Sequence, residues 1–228
     1  MDWWQALILG IVEGLTEYLP VSSTGHLILA SWGLGLSGET AEAKRAIDSF
    51  NIVIQAGAIA AVLGLYRARV AQMCRGIVGK DEAGRRLAIN LMIAFLPAAV
   101  LGPLLNDTIE QALFKPWPVI GALFVGAWLM LAVAWNQKLL EGRSDLEVED
   151  VTWRIALLIG FGQCVAMWPG TSRSMMTIVA ALLLGMRARA AAEFSFLLGL
   201  ITLGAATCYS ATENSAVTKA SPVFVRAS

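Results

Sequence analysis

The sequence predicts an all-α protein that crosses a membrane several times. Of the 228 residues, 57% are hydrophobic and 15% are charged, and the mean hydropathy is +0.66. Soluble domains contain about 45–50% apolar and about 25% charged residues, so this composition is typical of a multi-pass membrane protein. The 17 basic and 17 acidic residues balance, which argues against a nucleic-acid partner. The apolar residues also fall into long runs separated by short polar stretches.

Four of these apolar runs are long enough to cross a bilayer. A transmembrane helix needs about 20 apolar residues, within a range of about 17–25. The runs that are predicted to be transmembrane helices are 50–66, 87–105, 117–135 and 194–211.

The remaining runs form two pairs, 3–19 with 26–36 and 153–168 with 175–186. Within each pair, a proline and a cluster of Ser, Thr and Gly separate the two runs. The second run is too short to cross at about 1.5 Å per residue, so each pair is predicted to be a re-entrant hairpin. Non-helical backbone is tolerated inside a membrane only in protein or beside a water-filled cavity, which indicates that both polar clusters are functional.

The two hairpins resemble each other in sequence. GIVEGLTEYLPVSS (10–23) aligns with GFGQCVAMWPGTS (160–172) when one gap is allowed. We therefore predict two repeats, about 1–135 and about 153–211, within one membrane domain that comprises residues 1–228.

The charges of the loops predict the orientation of the repeats. Loop 67–86 is rich in Arg and Lys and is expected to be cytoplasmic, with loop 106–116 outside and loop 136–152 inside. The two hairpins then enter from opposite sides, the repeats are inverted, and the two hairpin tips meet near the middle of the membrane.

The second repeat is expected to be truncated. Three predicted transmembrane helices follow the first hairpin, but only one follows the second. Residues 212–228 form a polar tail without an apolar run that could cross. By the internal symmetry of the chain, two transmembrane helices are missing.

The first hairpin tip has the residues of a cation site. Glu13 and Glu17 are four residues apart and share one face of a helix. Carboxylates inside a membrane are costly unless they are paired or bound to a cation, and their oxygens suit Mg²⁺ or Ca²⁺. A structural role beside a water-filled cleft is the alternative.

The residues after Pro20 favour anion binding at a helix start. Hydroxyl groups there are often only caps, but helix N-termini also bind phosphate. His26, the only histidine, follows one turn later and can act as a general acid or base. The predicted binding residues of this tip are Ser22, Ser23, Thr24 and Gly25.

The second tip, PGTSRSMMT (169–177), contains Arg173 between two apolar runs. The planar guanidinium group of arginine binds phosphate oxygens in a bidentate manner, although a purely structural pair with a glutamate is the alternative. The residues expected to assist it are Gly170, Thr171, Ser172 and Ser174. Together, the two tips predict a site for a phosphate or diphosphate group on a membrane lipid.

Other polar residues are expected to have ordinary roles. Asn51 and Gln55 are predicted to form hydrogen bonds between helices. Glu193 is expected to be a solvated helix end, and the acidic stretch 145–150 an ordinary loop.

The motifs EGLTEYLPVSSTGH (13–26) and PGTSRS (169–174) resemble the bacterial undecaprenyl-diphosphate phosphatases, also called bacitracin resistance proteins. The resemblance covers about residues 1–207, including QAGAIAAVL (55–63) and AAEFSFLL (191–198). It implies an integral enzyme of the bacterial plasma membrane that removes one phosphate from undecaprenyl diphosphate and yields the carrier lipid for cell-wall synthesis. It also implies a divalent cation, a site open toward the periplasm, and an inverted-repeat fold with re-entrant helices.

The resemblance also implies roles for particular residues. The glutamate pair of the family falls on Glu13 and Glu17, its active serine on Ser23 beside Ser22, its histidine on His26 and its essential arginine on Arg173. We expect the cation and Arg173 to neutralise the diphosphate, Ser23 to attack phosphorus or to orient a water that attacks, and His26 to move the proton.

Three questions stay open at the level of sequence. A transporter or flippase of a phosphorylated lipid or anion is the main rival function, because broken helices in inverted repeats are common in transporters. A non-catalytic remnant is a third interpretation. The sequence also leaves open whether the chain forms a homodimer.

Overall fold

Helices make up nearly all of the chain in the computed structural model, which describes residues 1–36, 41–113, 116–136 and 145–220. No β-strand is formed within these ranges, which confirms the predicted all-α class. A short 3₁₀-helix (Val148–Asp150) precedes α7. The α-helices of these ranges are α1 (Trp3–Thr16), α2 (Ser23–Gly33), α3 (Ala41–Leu65), α4 (Arg67–Ile77), α5 (Glu82–Leu113), α6 (Pro116–Trp135), α7 (Trp153–Val165), α8 (Arg173–Leu183) and α9 (Ala188–Ala220).

The four helices of the predicted hairpins are short and begin at polar caps. We call α1 with α2 hairpin 1, and α7 with α8 hairpin 2; the two helices of each pair pack against each other. The caps of α2, α7 and α8 are Ser22, Thr152 and Ser172, whose hydroxyl oxygens accept backbone N–H groups of the first turn. These caps satisfy N–H groups that have no partner within the helix.

Three of the four predicted transmembrane helices are confirmed by length and composition. In the part of the chain that the structure describes, Glu82–Leu105, Trp117–Trp135 and Ala188–Thr207 are long and apolar enough to cross a membrane. The run 50–66 qualifies only together with α4, because the two helices are bent by 81° at their break.

Two predicted loops prove to be largely helical. Loop 67–86 contains α4 and the start of α5, and loop 106–116 is helical as far as Leu113, with residues 114–115 outside the described residues. The polar tail 212–228 likewise continues α9 through Ala220, and residues 221–228 lie outside the described residues. The reason is that charged residues exclude a segment from the hydrocarbon layer, but they do not prevent it from forming a helix.

The buried core lies where α5, α7, α8 and α9 meet. A Cβ atom added to Gly160 of α7 would lie 2.4 Å from the Ala94 carbonyl oxygen of α5, so only glycine allows these helices to pack this closely. By contrast, α1 and α6 expose many large apolar side chains, as expected of surfaces that face lipid. The largest fully buried side chains of this core are Leu91, Ile159, Leu182, Met186, Phe194, Leu197 and Leu198.

Ion pairs connect α4 and α9 to the segment before α7. Arg69 contacts Glu193 and Glu149 at 2.6 Å each, and Arg187 contacts Asp145 at 3.0 Å. Glu193 is therefore not a solvated helix end, since its side chain is only 16% exposed and paired. The acidic stretch 145–150 is also more than an ordinary loop, because its carboxylates bind Arg69 of α4 and Arg187, the residue before α9.

The contact of Gly84 in α5 with Gln72 in α4 supplies a test of backbone packing. A Cβ atom on Gly84 would lie 2.1 Å from the Gln72 carbonyl oxygen. We expect Gly84→Ala to lower the stability of the detergent-solubilised protein by about 1–3 kcal/mol, because overpacked backbone must shift. Thermal unfolding would measure this. Gly57→Ala is the matched control, since a Cβ there meets nothing within 4 Å; equal melting temperatures for both variants would contradict the prediction.

Candidate active site

Glu17 and Arg173 join the tips of the two hairpins, although they are 156 residues apart in sequence. Nη2 of Arg173 donates a hydrogen bond to Oε1 of Glu17 at 2.8 Å. The two side chains are 14% and 6% exposed, so the ion pair is largely shielded from solvent. The structure thus brings together the two charged groups that the sequence placed on separate repeats.

The Glu17 carboxylate also accepts a hydrogen bond from the Ser23 hydroxyl, at its second oxygen, Oε2. Both oxygens of Glu17 are therefore engaged, one by the guanidinium group and one by the serine. The sequence predicted all three residues for the site, but it did not predict that Ser23 donates to Glu17.

Glu13 lies one helical turn before Glu17 and is 2% exposed. The backbone N–H of Glu17 donates to the Glu13 carbonyl oxygen at 2.9 Å, which keeps the two carboxylates on one helix face as predicted. Oε2 of Glu13 is buried without a hydrogen-bond partner among the described residues.

Ser22 holds the backbone turn between the two helices of hairpin 1. It is buried and has a φ of +67°, a conformation that non-glycine residues rarely adopt. Its hydroxyl oxygen accepts the Gly25 N–H at 3.3 Å. A Cβ on Gly25 would lie 2.9 Å from the Leu123 side chain of α6, so this turn packs closely against α6. Strained backbone of this kind is frequent at functional sites.

His26 is held by its own helix. Its Nδ1 lies 2.8 Å from the Ser22 carbonyl oxygen. A carbonyl oxygen can only accept, so Nδ1 must bear the proton of this hydrogen bond, and the lone pair of the neutral ring is then on Nε2. Thr24, between Ser23 and His26 in the turn, is exposed.

The serines of hairpin 2 tie the two tips together. Ser172 accepts the Met175 N–H at 3.2 Å, and its hydroxyl lies 3.0 Å from that of Ser174. Ser174 in turn donates to the Leu19 carbonyl oxygen of hairpin 1 at 2.9 Å. Because Ser174 has one hydroxyl proton and uses it for Leu19, Ser172 is the donor to Ser174.

Helix α6 supports the tip of hairpin 2 as well as that of hairpin 1. Gly170 has a φ of +92°, and a Cβ there would lie 2.6 Å from the Val119 carbonyl oxygen of α6. The adjacent Thr171 is partly buried, and its N–H donates to the Trp168 carbonyl oxygen at 3.0 Å. Only a residue without a side chain fits between this turn and α6.

The sequence matches a known protein family over most of its length. The model of the family described as bacitracin resistance protein BacA matches residues 6–227. The chain belongs to this family.

Relatives of this BacA-family chain are named undecaprenyl-diphosphatase. One from Sorangium cellulosum (strain So ce56) is 49% identical over 214 residues, which cover 94% of this chain and 68% of the relative. One from Ectopseudomonas mendocina (strain ymp) is 49% identical over 92% of this chain and 74% of its own length. One from Pseudomonas aeruginosa (strain UCBPP-PA14) is 46% identical over 92% of this chain and 73% of its own length.

The site of this BacA-family chain also contains residues that the sequence analysis did not assign. Tyr18 follows Glu17, its hydroxyl is buried without a partner among the described residues, and its ring packs edge-on against Phe196 at 5.4 Å. Gly199 of α9 faces Arg173, since a Cβ there would lie 2.5 Å from Nη1. Tyr18 could have been found from its place within the motif EGLTEYLP, whereas nothing local to Gly199 indicates its neighbour.

Two amide side chains with buried atoms, those of Asn51 and Gln163, lie outside the two tips. Oδ1 of Asn51 is buried without a partner in the part of the chain that is described, so no hydrogen bond between helices is seen for that oxygen. Gln163, which aligns with Glu13 in the repeat, is 3% exposed and accepts a hydrogen bond from Thr202 at 3.2 Å. The second hairpin thus has a neutral amide where the first has a carboxylate.

Proposed function

We propose that this chain hydrolyses undecaprenyl diphosphate to undecaprenyl phosphate and phosphate, and thereby recycles the lipid carrier for peptidoglycan synthesis and confers bacitracin resistance. The single observation that supports this most strongly is the contact of Glu17 with both Arg173 and Ser23, at the junction of the two hairpins. Membership of the BacA family and the names of the relatives agree with it. They do not favour the rival transporter or flippase function.

We place the protein in the bacterial inner membrane as a multi-pass enzyme with inverted repeats. The hairpin helices have 14, 11, 13 and 11 residues, so each is shorter than a membrane crossing. These lengths support hairpins that enter the membrane and return. We propose that the two hairpins enter from opposite sides and that the site is open toward the periplasm. The basic residues of α4 and the α4–α5 turn then lie on the cytoplasmic side.

The diphosphate is proposed to bind between the two hairpin tips. Arg173 would exchange part of its contact with Glu17 for phosphate oxygens, which its planar fork can bind in pairs. The starts of α2 and α8 add backbone N–H groups and the positive ends of two helix dipoles. The residues of these two starts are Ser22, Thr24 and Gly25 on one side, and Gly170, Thr171, Ser172 and Ser174 on the other.

Glu13 and Glu17 fit a divalent cation, Mg²⁺ or Ca²⁺. Oε2 of Glu13 is a buried oxygen without a protein partner, which is the kind of atom that a cation satisfies. No cluster of three or more His, Cys, Asp or Glu residues suited to a metal is found among the described residues. Two carboxylates suffice when substrate phosphates and water complete the coordination, as is usual for Mg²⁺. Such an ion would supply positive charge for the diphosphate.

Ser23 is proposed as the nucleophile. Its oxygen forms a bond to the terminal phosphorus, the bond from that phosphorus to the bridging oxygen breaks, and undecaprenyl phosphate leaves. The proton of Ser23 passes to Glu17, which already accepts its hydrogen bond. His26 then removes a proton from water through Nε2, and the resulting hydroxide bonds to phosphorus as the bond between phosphorus and the Ser23 oxygen breaks. Phosphate leaves, Glu17 returns its proton to Ser23, and His26 releases its proton to water.

The first test measures phosphate release by the purified chain in detergent with undecaprenyl diphosphate. We expect steady release, and loss of at least about tenfold with a chelator, because the diphosphate charge is then less well neutralised. Restoration by added Mg²⁺ or Ca²⁺ controls for damage by the chelator. If no phosphate is released with Mg²⁺ and none with Ca²⁺, the proposed function is refuted. If the chelator does not change phosphate release, the proposed requirement for a divalent cation is refuted.

The second test asks whether the serine becomes phosphorylated. With substrate labelled in the terminal phosphate, we expect His26→Gln to accumulate labelled protein, because attack still occurs while hydrolysis of the intermediate slows. Ser23→Ala should show no label. Unlabelled protein in His26→Gln, together with normal release by the original chain, would instead indicate direct attack by water.

The third test concerns the guanidinium group. We expect Arg173→Lys to lower kcat/KM by about 100-fold, because a single ammonium group cannot replace a pair of charge-assisted hydrogen bonds. Arg187→Lys is the matched control: Arg187 is half exposed and paired with Asp145. Its kcat/KM should change by no more than about twofold. Similar values for the two variants would exclude bidentate binding by Arg173.

A further inference from the structure

One face of α9 contacts the part of α8 that bears Arg173. Ser195 and Gly199 are four residues apart and therefore lie on the same helix face. We propose that this face, acting through Thr177 of α8, positions Arg173 for the diphosphate, so that Thr177, Ser195 and Gly199 are positioning residues of the reaction. The inference rests on the proposed function.

The first support is a chain of hydrogen bonds from α9 to the backbone of Arg173. The Thr177 hydroxyl lies 2.6 Å from that of Ser195, 3.0 Å from the Arg173 carbonyl oxygen and 3.1 Å from the Ser174 carbonyl oxygen. Carbonyl oxygens only accept, so Thr177 donates to them, and Ser195 must donate to Thr177. Each hydroxyl therefore has a defined partner and direction.

The second support is the burial of this pair. Thr177 and Ser195 are both 0% exposed, so water cannot replace either hydroxyl. A buried hydroxyl that loses its partner retains the full cost of its desolvation. The pair therefore fixes the first turn of α8 against α9, and with it the point from which the Arg173 side chain extends.

The third support is the space that Gly199 leaves for the guanidinium group. A Cβ atom on Gly199 would lie 2.5 Å from Nη1 and 3.0 Å from Cζ and Nη2 of Arg173. Nη1 is buried and has no partner among the described residues, whereas Nη2 donates to Glu17. Ser195 thus holds the backbone of Arg173 through Thr177, and Gly199 leaves space for the guanidinium group. Nη1 of Arg173 remains available for a phosphate oxygen.

If the Thr177 hydroxyl positions Arg173, two substitutions of Thr177 should have the opposite effects from those expected of a side chain that only fills the core. Thr177→Val keeps the volume and removes the hydroxyl, whereas Thr177→Ser removes a methyl group and keeps the hydroxyl. We expect Thr177→Val to lower kcat/KM for undecaprenyl diphosphate by about tenfold, and Thr177→Ser to retain most of it. A larger loss in Thr177→Ser than in Thr177→Val would overturn the proposal.

The matched control is another hydroxyl of α9 that does not contact Arg173. Thr202 donates to Gln163 of α7 at 3.2 Å and lies 2.9 Å from the Leu198 carbonyl oxygen. Thr202→Val should therefore change kcat/KM by no more than about twofold. A tenfold loss in this variant as well would show a general need for hydroxyls on α9 and would overturn the specific role of Thr177.

A double-mutant cycle with Arg173→Lys provides the decisive readout. If Thr177 acts through the guanidinium group, Thr177→Val should cause no further loss beyond about twofold once that group is absent. An additional tenfold loss in the Arg173→Lys background would overturn the proposal. If Thr177→Val does not fold, Ser195→Ala replaces it in the same double-mutant cycle. The losses of kcat/KM expected for Ser195→Ala are the same.

Failure of this inference can be told apart from failure of the proposed function. If the unaltered chain releases no phosphate from undecaprenyl diphosphate, the proposed function fails. If the unaltered chain is active and the Thr177 variants do not separate as expected, only the positioning role fails.

Discussion

The buried ion pair between Glu17 and Arg173 is the contact on which the arrangement of the site depends. Each charge alone would be costly in a largely apolar interior, and removal of one partner of such a pair commonly costs about 3–5 kcal/mol. Each hairpin tip therefore requires the other. A diphosphate substrate with its cation would have to displace part of this ion pair. The guanidinium group is suited to the diphosphate, and the carboxylate is suited to the cation.

Short helices and close backbone contacts make this pairing geometrically feasible. The hairpin helices are shorter than a membrane crossing, so polar N–H groups and hydroxyls of their turns must be satisfied locally. Ser174 does this for the Leu19 carbonyl oxygen of the other hairpin. Gly25 and Gly170 allow both turns to approach α6, which acts as a common support. The same few contacts thus hold both tips in place.

Some polar atoms of the site remain unsatisfied while their neighbours are fully bonded. Oε2 of Glu13, Nη1 of Arg173 and the Tyr18 hydroxyl are buried without partners among the described residues. Unpartnered buried groups are uncommon in native proteins, because each costs free energy. Three of the six such atoms among the described residues belong to this site, and the others belong to Asn51, Gln163 and Thr207.

The sequence by itself determined the helical membrane class, the two polar tips and the residue types within them, because composition, run length and helix caps depend only on local order. It placed Glu17 and Arg173 in the site but could not give the Ser23–Glu17 hydrogen bond, the pairing of Glu193 with Arg69, or the approach of Gly199 to Arg173. The Ser23–Glu17 hydrogen bond joins residues six apart and depends on the turn at Ser22. The other two contacts join segments far apart in the chain, and whether they form depends on how α9 packs against α3, α5 and α8. Tertiary packing alone decided them, since no periodicity or spacing encodes which side chain of a distant helix occupies the space beside a glycine.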